Sequence, residues 1–419
     1  MNAEIRTGYK QTEVGLLPVD WEVRKLGELA SFRTGPFGSA LHKSDYTNDG
    51  IPVVNPMHIL DGRIVPTTSM TITEEAAKSL DVFRLKPGEI VIGRRGDMGR
   101  CAVVSEREIG WLCGTGSMIV RPSASADANF LQRVLSSPSI IKNIEDTSVG
   151  STMVNLNQGT LCDLIVQAPP IEEQRAIAET LSEVETLIGS LDQLITKKRD
   201  IQQAAMQQLL TGQLRLPGFS GEWDKVAIGD YIDLLTGFPF PSSHYSSSGI
   251  RLLRGSNVKR GQTDWGDDLV QYWPSLTSDI AKYELAAGDL VIAMDGSLVG
   301  RSFARLDESD LPAVLLQRVA RVRSKSIDIG FLTHQIASDL FVSYCDSVKT
   351  VTAIPHISSA DIRGFVIPLP PTLEEQTAIA IVLSDMGTEL AALEARRDKA
   401  RQLKQGMMQE LLTGRIRLV

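Results

Sequence analysis

The sequence has no run approaching the roughly 18 consecutive apolar residues of a membrane-spanning helix, and nothing in it reads as a span. Cysteine is scarce: Cys101, Cys113, Cys162 and Cys345 are scattered, with no CxxC pair and no histidine at ligand spacing. That argues against a disulfide framework and a zinc site, and the four are expected to be ordinary reduced thiols. The five histidines form no HExxH, no GxxxxGK[ST] loop occurs, and the glycines at 93–99 do not open a helix as a dinucleotide fingerprint would. Positive charge is not in excess either, since 43 basic residues face 51 acidic ones for a net charge of −8. A protein that grips DNA unaided is poorly served by that balance, so any such basic groups have to be localised or shared with a partner. The opening MNAEIRTGYKQTEVG is polar rather than a secretory signal, and the expected address is the cytoplasm.

What is present is the composition of a globular protein, 42% hydrophobic and 22% charged, over 419 residues, enough for two to four domains. Its most informative feature is an internal duplication. Glu172-Glu173-Gln174 recurs as Glu374-Glu375-Gln376, and the same offset of 202 carries Leu209-Leu210-Thr211-Gly212 onto Leu411-Leu412-Thr413-Gly414. Trp21 pairs with Trp223, Gly27 with Gly229, and Thr34-Gly35 with Thr236-Gly237. Between these anchors the offset drifts, so that Glu89-Ile90-Val91-Ile92 answers Asp289-Leu290-Val291-Ile292. Two copies that agree in their apolar framework and differ in their loops suit two different binding surfaces on one scaffold.

Each copy holds a mixed α and β part, with strands expected at Ile90-Val91-Ile92 and Leu290-Val291-Ile292 and helices at 130–135 and 331–336. A long helix follows. Ile177, Leu181, Val184, Ile188, Leu191 and Ile195 fall at spacings of four and three, and Ile379, Leu383, Met386, Leu390 and Leu393 repeat the pattern. Such stripes are expected to pair the two helices with each other, the competing reading being that each lies on its own globular part. Pro169-Pro170 and Pro370-Pro371 precede the helices, Thr372 and Glu375 fit a capping box, and Gly212 and Gly414 stand where a left-handed residue closes a helix. About 40 residues at 1.5 Å each make a spacer of about 60 Å. The segments are therefore 1–168, the first long helix at 169–213, connector and second globular part at 214–369, and the second long helix at 370–419. Because Gly15-Leu16-Leu17-Pro18 before Trp21 resembles the connector Arg215-Leu216-Pro217-Gly218 before Trp223, the chain ends are expected to meet at an equivalent junction, closing a pseudo-twofold ring.

These residues resemble, over essentially the whole chain, the specificity (HsdS) subunits of type I restriction-modification systems. The resemblance is carried by Gly8-Tyr9-Lys10-Gln11-Thr12-Glu13-Val14-Gly15, by Pro18-Val19-Asp20-Trp21, by the Thr-Gly pairs, and by the duplicated Glu-Glu-Gln starts and Leu-Leu-Thr-Gly ends. It implies an α+β fold: two similar target recognition domains, each reading half of a split double-stranded DNA target, separated by two long helices in an antiparallel coiled coil. It also implies partners. Modification subunits, two of them, methylate adenine with S-adenosylmethionine, and restriction subunits cut DNA with ATP and Mg. None of those cofactors is expected on this chain, which is expected to be non-catalytic.

Candidate DNA contacts lie in glycine-rich loops after the expected strands, where backbone comes close to a ligand and arginine can pair with guanine or hold phosphate. They are Arg94, Arg95 and Arg100 in one copy, and Ser297 and Arg301 in the other. A second set is Arg254, Asn257, Lys259 and Arg260, with Asn55 and His58 as counterparts; a third is Ser151, Thr152, Asn155 and Asn157, with Thr352 and His356. Solvated turns are the competing reading throughout. Arg318, Arg321 and Arg323 alternate along an expected strand and read as a solvated face. Two rivals remain. Asn55-Pro56-Met57-His58 faintly resembles an adenine methyltransferase motif but lacks the second proline and the aromatic residue that would hold a flipped base. A coiled-coil scaffold that binds only protein would show no salt-dependent affinity for DNA.

Overall fold

The computed structural model describes residues 7–36, 40–147 and 156–418. The chain divides into two compact units, one of residues 1–191 with 396–419 and one of residues 192–395. Each takes in part of both long helices, Ile171–Leu210 and Leu373–Leu411.

Within the first unit, a four-stranded antiparallel sheet runs in the order Cys101–Val103, Ile90–Gly93, Ser117–Pro122, Ala30–Thr34. A three-stranded sheet places Ile51–Val54 between Leu112–Cys113, to which it is parallel, and Thr71–Ile72. The pair Glu22–Lys25 and Ile165–Ala168 ties the start of the repeat to the entry of the long helix. The second unit repeats this strand for strand, with a four-stranded sheet of Asp233–Thr236, Val319–Arg323, Leu290–Ala293 and Phe303–Arg305. Its three-stranded sheet sets Ile250–Leu253 between Tyr272–Trp273 and the parallel Ala313–Leu315, and Asp224–Ala227 pairs with Val366–Leu369.

The continuous apolar runs expected as strands are strands because both of their faces are buried. Side chains alternate across a strand, so Ile90 and Ile92 enter the core beside the helices while Val91 enters the core between the two sheets. Leu290 and Ile292 against Val291 and Ala293 do the same in the second unit. Helices Ala128–Leu135 and Ile329–Ala337, capped by Asp127 and Asp328, cover the outer face through Phe130, Leu131, Phe331 and Leu332. Burying each of these side chains is worth roughly 1.5–3 kcal/mol.

The long helices divide their apolar stripe between two tasks. Ile177 and Leu181 belong to the core of the first unit, and Ile379 and Leu383 to that of the second, so the early turns of each helix lie on the globular part before them. Further along, Leu191 and Ile195 are buried, while Val184, Ile188, Met386, Leu390 and Leu393 are half-buried. The pairing is antiparallel. Glu185 meets Lys404 at 2.6 Å in the first unit, where Met407, Met408 and Leu411 share the core with Ile177 and Leu181. In the second, Lys198 meets Glu389 at 2.7 Å, and Leu209 and Leu210 share the core with Ile379 and Leu383.

Gly212 and Gly414 close the helices at φ 73° and 67°, conformations glycine adopts without the Cβ clash. The rings of Trp223 and Trp21 pack against them. Thr372 accepts the Glu375 N–H, but the Glu375 carboxylate does not complete a capping box, because Arg215 takes it at 2.7 Å through both Nε and Nη2. The first unit holds the equivalent junction: Arg417 binds Glu173 at 2.6 Å and Asp20 at 2.7 Å, Trp21 Nε1 donates to Glu173 at 2.8 Å, and Tyr9 Oη donates to the Gly414 carbonyl. The two ends of the chain meet there.

Candidate nucleic-acid interface

In each unit the strand directions bring several loops to one edge of the sheets. Ala30–Thr34 and Ile90–Gly93 both run antiparallel to Ser117–Pro122, with Thr34 opposite Met118 and Gly93 opposite Ser117. Both strands therefore end where that strand begins. Ile51–Val54 and Leu112–Cys113 are parallel and end together. The loops that follow are stitched to one another: Gly35 N–H donates to the Ser117 carbonyl, Gly114 N–H to Val54, Arg94 N–H to Gly116, and Leu156 N–H to Arg94. Arg94 Nε returns a bond to the Leu156 carbonyl at 2.9 Å, and Gln158 Nε2 donates to Thr34 Oγ1 at 3.0 Å. A Cβ on Gly116 would meet Pro56 at 2.9 Å, so the approach of the 114–116 turn to the 55–58 turn needs glycine.

The second unit has the same edge. Gly237 N–H donates to Val319, Met294 to the Arg318 carbonyl, and Ile357 to the Met294 carbonyl. Gly296 N–H donates to the Pro355 carbonyl at 3.0 Å, and with the Ile357–Met294 bond this sets Asp295 opposite His356 in an antiparallel bridge. A Cβ on Gly255 would lie 3.4 Å from the Asp295 carboxylate, which places the 255–257 turn against the same point.

Several sequence candidates sit on these edges. Arg95 is exposed, with no ion pair among the described residues. Arg94 is half-buried, and burial, followed by the neighbouring charge of Arg95, holds its guanidinium below the usual arginine range. Arg100 pairs with Asp97, and Arg301 with Asp346 at 3.1 Å. Ser297, Arg260, Thr352 and His356 are exposed; His356 Nδ1 lies 2.9 Å from Thr350 Oγ1, and Thr352 Oγ1 donates to the Ile354 carbonyl. Lys259 bonds the Ser256 carbonyl at 2.8 Å, and the half-buried Arg254 is held by the Leu269 carbonyl. Ser151, Thr152 and Asn155 lie outside the described residues.

Others are placed inside the fold. His58 is 2% exposed, its Nδ1 accepting the Asn55 N–H at 3.1 Å and its Nε2 3.2 Å from Thr67 Oγ1. The bond to Nδ1 puts the ring proton on Nε2. Asn257 is fully buried at the equivalent place, its Oδ1 accepting the Arg254 N–H and its Nδ2 donating to the Asp264 carbonyl. Asn55 is half-buried and turns its Oδ1 toward Gly116 N–H at 3.4 Å, and Asn157, which stays exposed, caps the helix Gln158–Asp163 through Thr160 N–H. Of the three arginines expected as a solvated face, Arg318 is exposed and Arg321 is not. Arg321 is 6% exposed, pairs with Asp233 at 2.9 Å and donates to the Lys282 carbonyl, whereas Arg323 keeps its side chain 42% exposed while binding the buried Asp289.

Sequence reading passed over the turns at 114–116 and 316–318, which bind the other loops together. The available signal was the pair of glycines in Cys113-Gly114-Thr115-Gly116, set between two short strands. Cys101, Cys113 and Cys345 are buried free thiols, and burial pushes Cys101 and Cys345 up to about 12, away from thiolate chemistry. Among the described residues no cluster of histidine, cysteine and carboxylate side chains could hold a metal ion, and no helix is long and apolar enough to cross a membrane.

Comparison with known proteins places both repeats in one family. The model of the type I restriction modification DNA specificity domain matches twice, over residues 18–197 and 220–402. The MjaVIII specificity subunit of Methanocaldococcus jannaschii is 25% identical over 425 residues, covering 96% of this chain and 94% of its own. The EcoAI specificity subunit of Escherichia coli is 33% identical over 162 residues, which is 38% of this chain and 27% of that one. The crystal structure of a type I restriction-modification S subunit from M. genitalium shares the fold, with a TM-score of 0.60 at 15% identity, covering 93% of this chain and 96% of that one.

Proposed function

Since the chain belongs to the type I restriction-modification DNA specificity family, whose general function is recognition of a DNA target, we propose that it reads a bipartite duplex sequence, one half-site per unit. The observation that carries this reading is the pair of loop edges, built on one topology and furnished with different side chains. Where the first unit offers Arg94, Arg95 and Arg100, the second offers Asp295, Ser297 and Arg301. Arginine reads guanine through O6 and N7 in the major groove, and hydroxyls read either purines or pyrimidines, so unlike edges select unlike half-sites.

In this reading the chain is a non-catalytic reader. The long helices dock two modification subunits, and S-adenosylmethionine serves those partners, as ATP and Mg serve a restriction subunit that joins them. Supporting the docking role, the first long helix leaves Leu187, Leu194 and Ile201 exposed at intervals of seven, an apolar row outside the buried stripe. A net charge of −8 leaves most of the neutralisation of DNA phosphates to a partner.

Base-resolution methylation mapping tests this. DNA from cells expressing the chain with a modification subunit of its system should carry adenine methylation at a split motif, absent from cells lacking only this chain. If an active modification subunit gives no chain-dependent methylation, the reader role fails and the protein-binding scaffold takes its place.

A further inference from the structure

Three described residues other than glycine have a left-handed backbone: Asp49, Asp61 and Arg318. Aspartate tolerates this region through its short polar side chain, whereas arginine has no such compensation. Arg318 stands at φ 67° in the turn that enters Val319–Arg323, at the loop edge of the second unit, with its side chain 63% exposed. Its Nη1 is 3.2 Å from Asp295 Oδ2, and its Nε and Nη2 have no partner among the described residues. The Asp295 backbone is held opposite His356 by the bonds from Gly296 N–H to Pro355 and from Ile357 N–H to Met294, and the turn at Gly255 lies in contact range of its carboxylate.

Stability does not account for this arrangement. An ion pair so exposed contributes little, and the left-handed backbone at an arginine costs more than a glycine there would. The first unit has a glycine at the matching place, one that is not left-handed and that avoids Pro56: Arg94 N–H donates to Gly116 as Met294 N–H donates to Arg318, so Gly116 and Arg318 occupy one position, and Arg95 and Asp295 another. The guanidinium has changed sides across the same pair of loops. In the first unit it comes from the loop after the strand, and in the second from the facing turn, with a carboxylate where the first unit's arginine stood.

We propose that Arg318, aimed by Asp295, is a specificity-determining residue of the second unit that reads a guanine in its half-site. The inference rests on the reader role proposed above. One nitrogen held by a carboxylate leaves the rest of the planar fork set for the O6 and N7 acceptors of guanine, which a lysine at the same place would not match. Asp295 is a positioning residue that acts through Arg318.

The test is methylation mapping in cells expressing the full chain with a modification subunit of its system, comparing wild type with Arg318→Gly, Arg318→Lys and Asp295→Asn. The Gly variant reproduces the first unit's residue and relieves the backbone, so its thermal midpoint should equal or exceed that of wild type. Arg318→Gly and Arg318→Lys should both relax a single G·C position in one half-site, with discrimination there falling on the order of ten-fold or more, while the other half-site stays unchanged. Asp295→Asn should relax the same position less. A wild-type motif that Arg318→Gly leaves unaltered overturns the inference and spares the reader role. A uniform loss of methylation without relaxation at any base makes Arg318 a phosphate anchor and also overturns it. A wild-type chain that directs no motif removes the reader role, and the inference with it.

Discussion

His58 and Asn257 solve one problem with different chemistry. Each accepts the backbone N–H at the start of a one-turn helix, from Asn55 and from Arg254, and each is buried beneath it. The difference is that histidine titrates. Burial holds His58 below the ordinary value of 6.5, so on acidification the unfolded chain takes up the proton before the folded one does. Its contribution is whole above about pH 6.5 and is lost as the pH falls through that value toward the folded one. The thermal midpoint of the first unit should therefore drop between about pH 7.5 and about pH 5.5, and His58→Asn, which installs the second unit's residue, should flatten that drop. His334 is also depressed by burial and lies in the second unit, so the test is the difference between wild type and variant. An unchanged profile in His58→Asn would mean that the ring proton does not govern the loss.

At the scale of the element, the long helices separate residues that hold the fold from residues free to hold a partner. Leu181 and Leu383 are fully buried in the cores of the two units, and truncating either to alanine should cost about 2–5 kcal/mol in denaturant unfolding. Leu194, 39% exposed on the same helix as Leu181, should shift stability by no more than about 0.5 kcal/mol when truncated. If the exposed row docks modification subunits, Leu194→Ala should instead weaken their co-purification with the chain. A Leu194→Ala chain that unfolds like Leu181→Ala would place that residue in the structural seam.

At the scale of the whole molecule, two equivalent junctions join each repeat to what adjoins it, Arg215 with Glu375 and Arg417 with Glu173. The second lies where the chain's two ends meet. Glu173 is wholly buried, and Arg417→Met would leave its carboxylate facing only Trp21 Nε1. Removing one partner of a buried pair costs about 3–5 kcal/mol, so Arg417→Met should destabilise the first unit by that order, and adding Glu173→Gln should recover part of it. Calorimetry that resolves the units tests this, since unfolding need not be two-state in such a chain. Periodicity and repetition were enough to reveal the duplication, the long helices, their glycine closures and the meeting of the chain ends. These are local patterns, or identities between equivalent residues, and a linear sequence carries both in full. Which arginines face solvent was not legible. Arg321 and Arg323 alternate as a solvated face would, yet Arg321 is buried against Asp233 and the Lys282 carbonyl, while Arg323 stays partly exposed on the buried Asp289. His58 and Asn257 read as candidate DNA contacts, yet both are buried with their polar atoms bound to the Asn55 N–H and Thr67 Oγ1 in one case and to backbone groups in the other. Arg318 takes its meaning from Asp295, 23 residues away in sequence and across a loop edge in space. The sequence by itself determined the elements and their repetition, because those follow from spacing along the chain; the tertiary structure decided which side chains are spent inside and which are offered outward, because burial and pairing depend on residues that meet only after the sheets have formed.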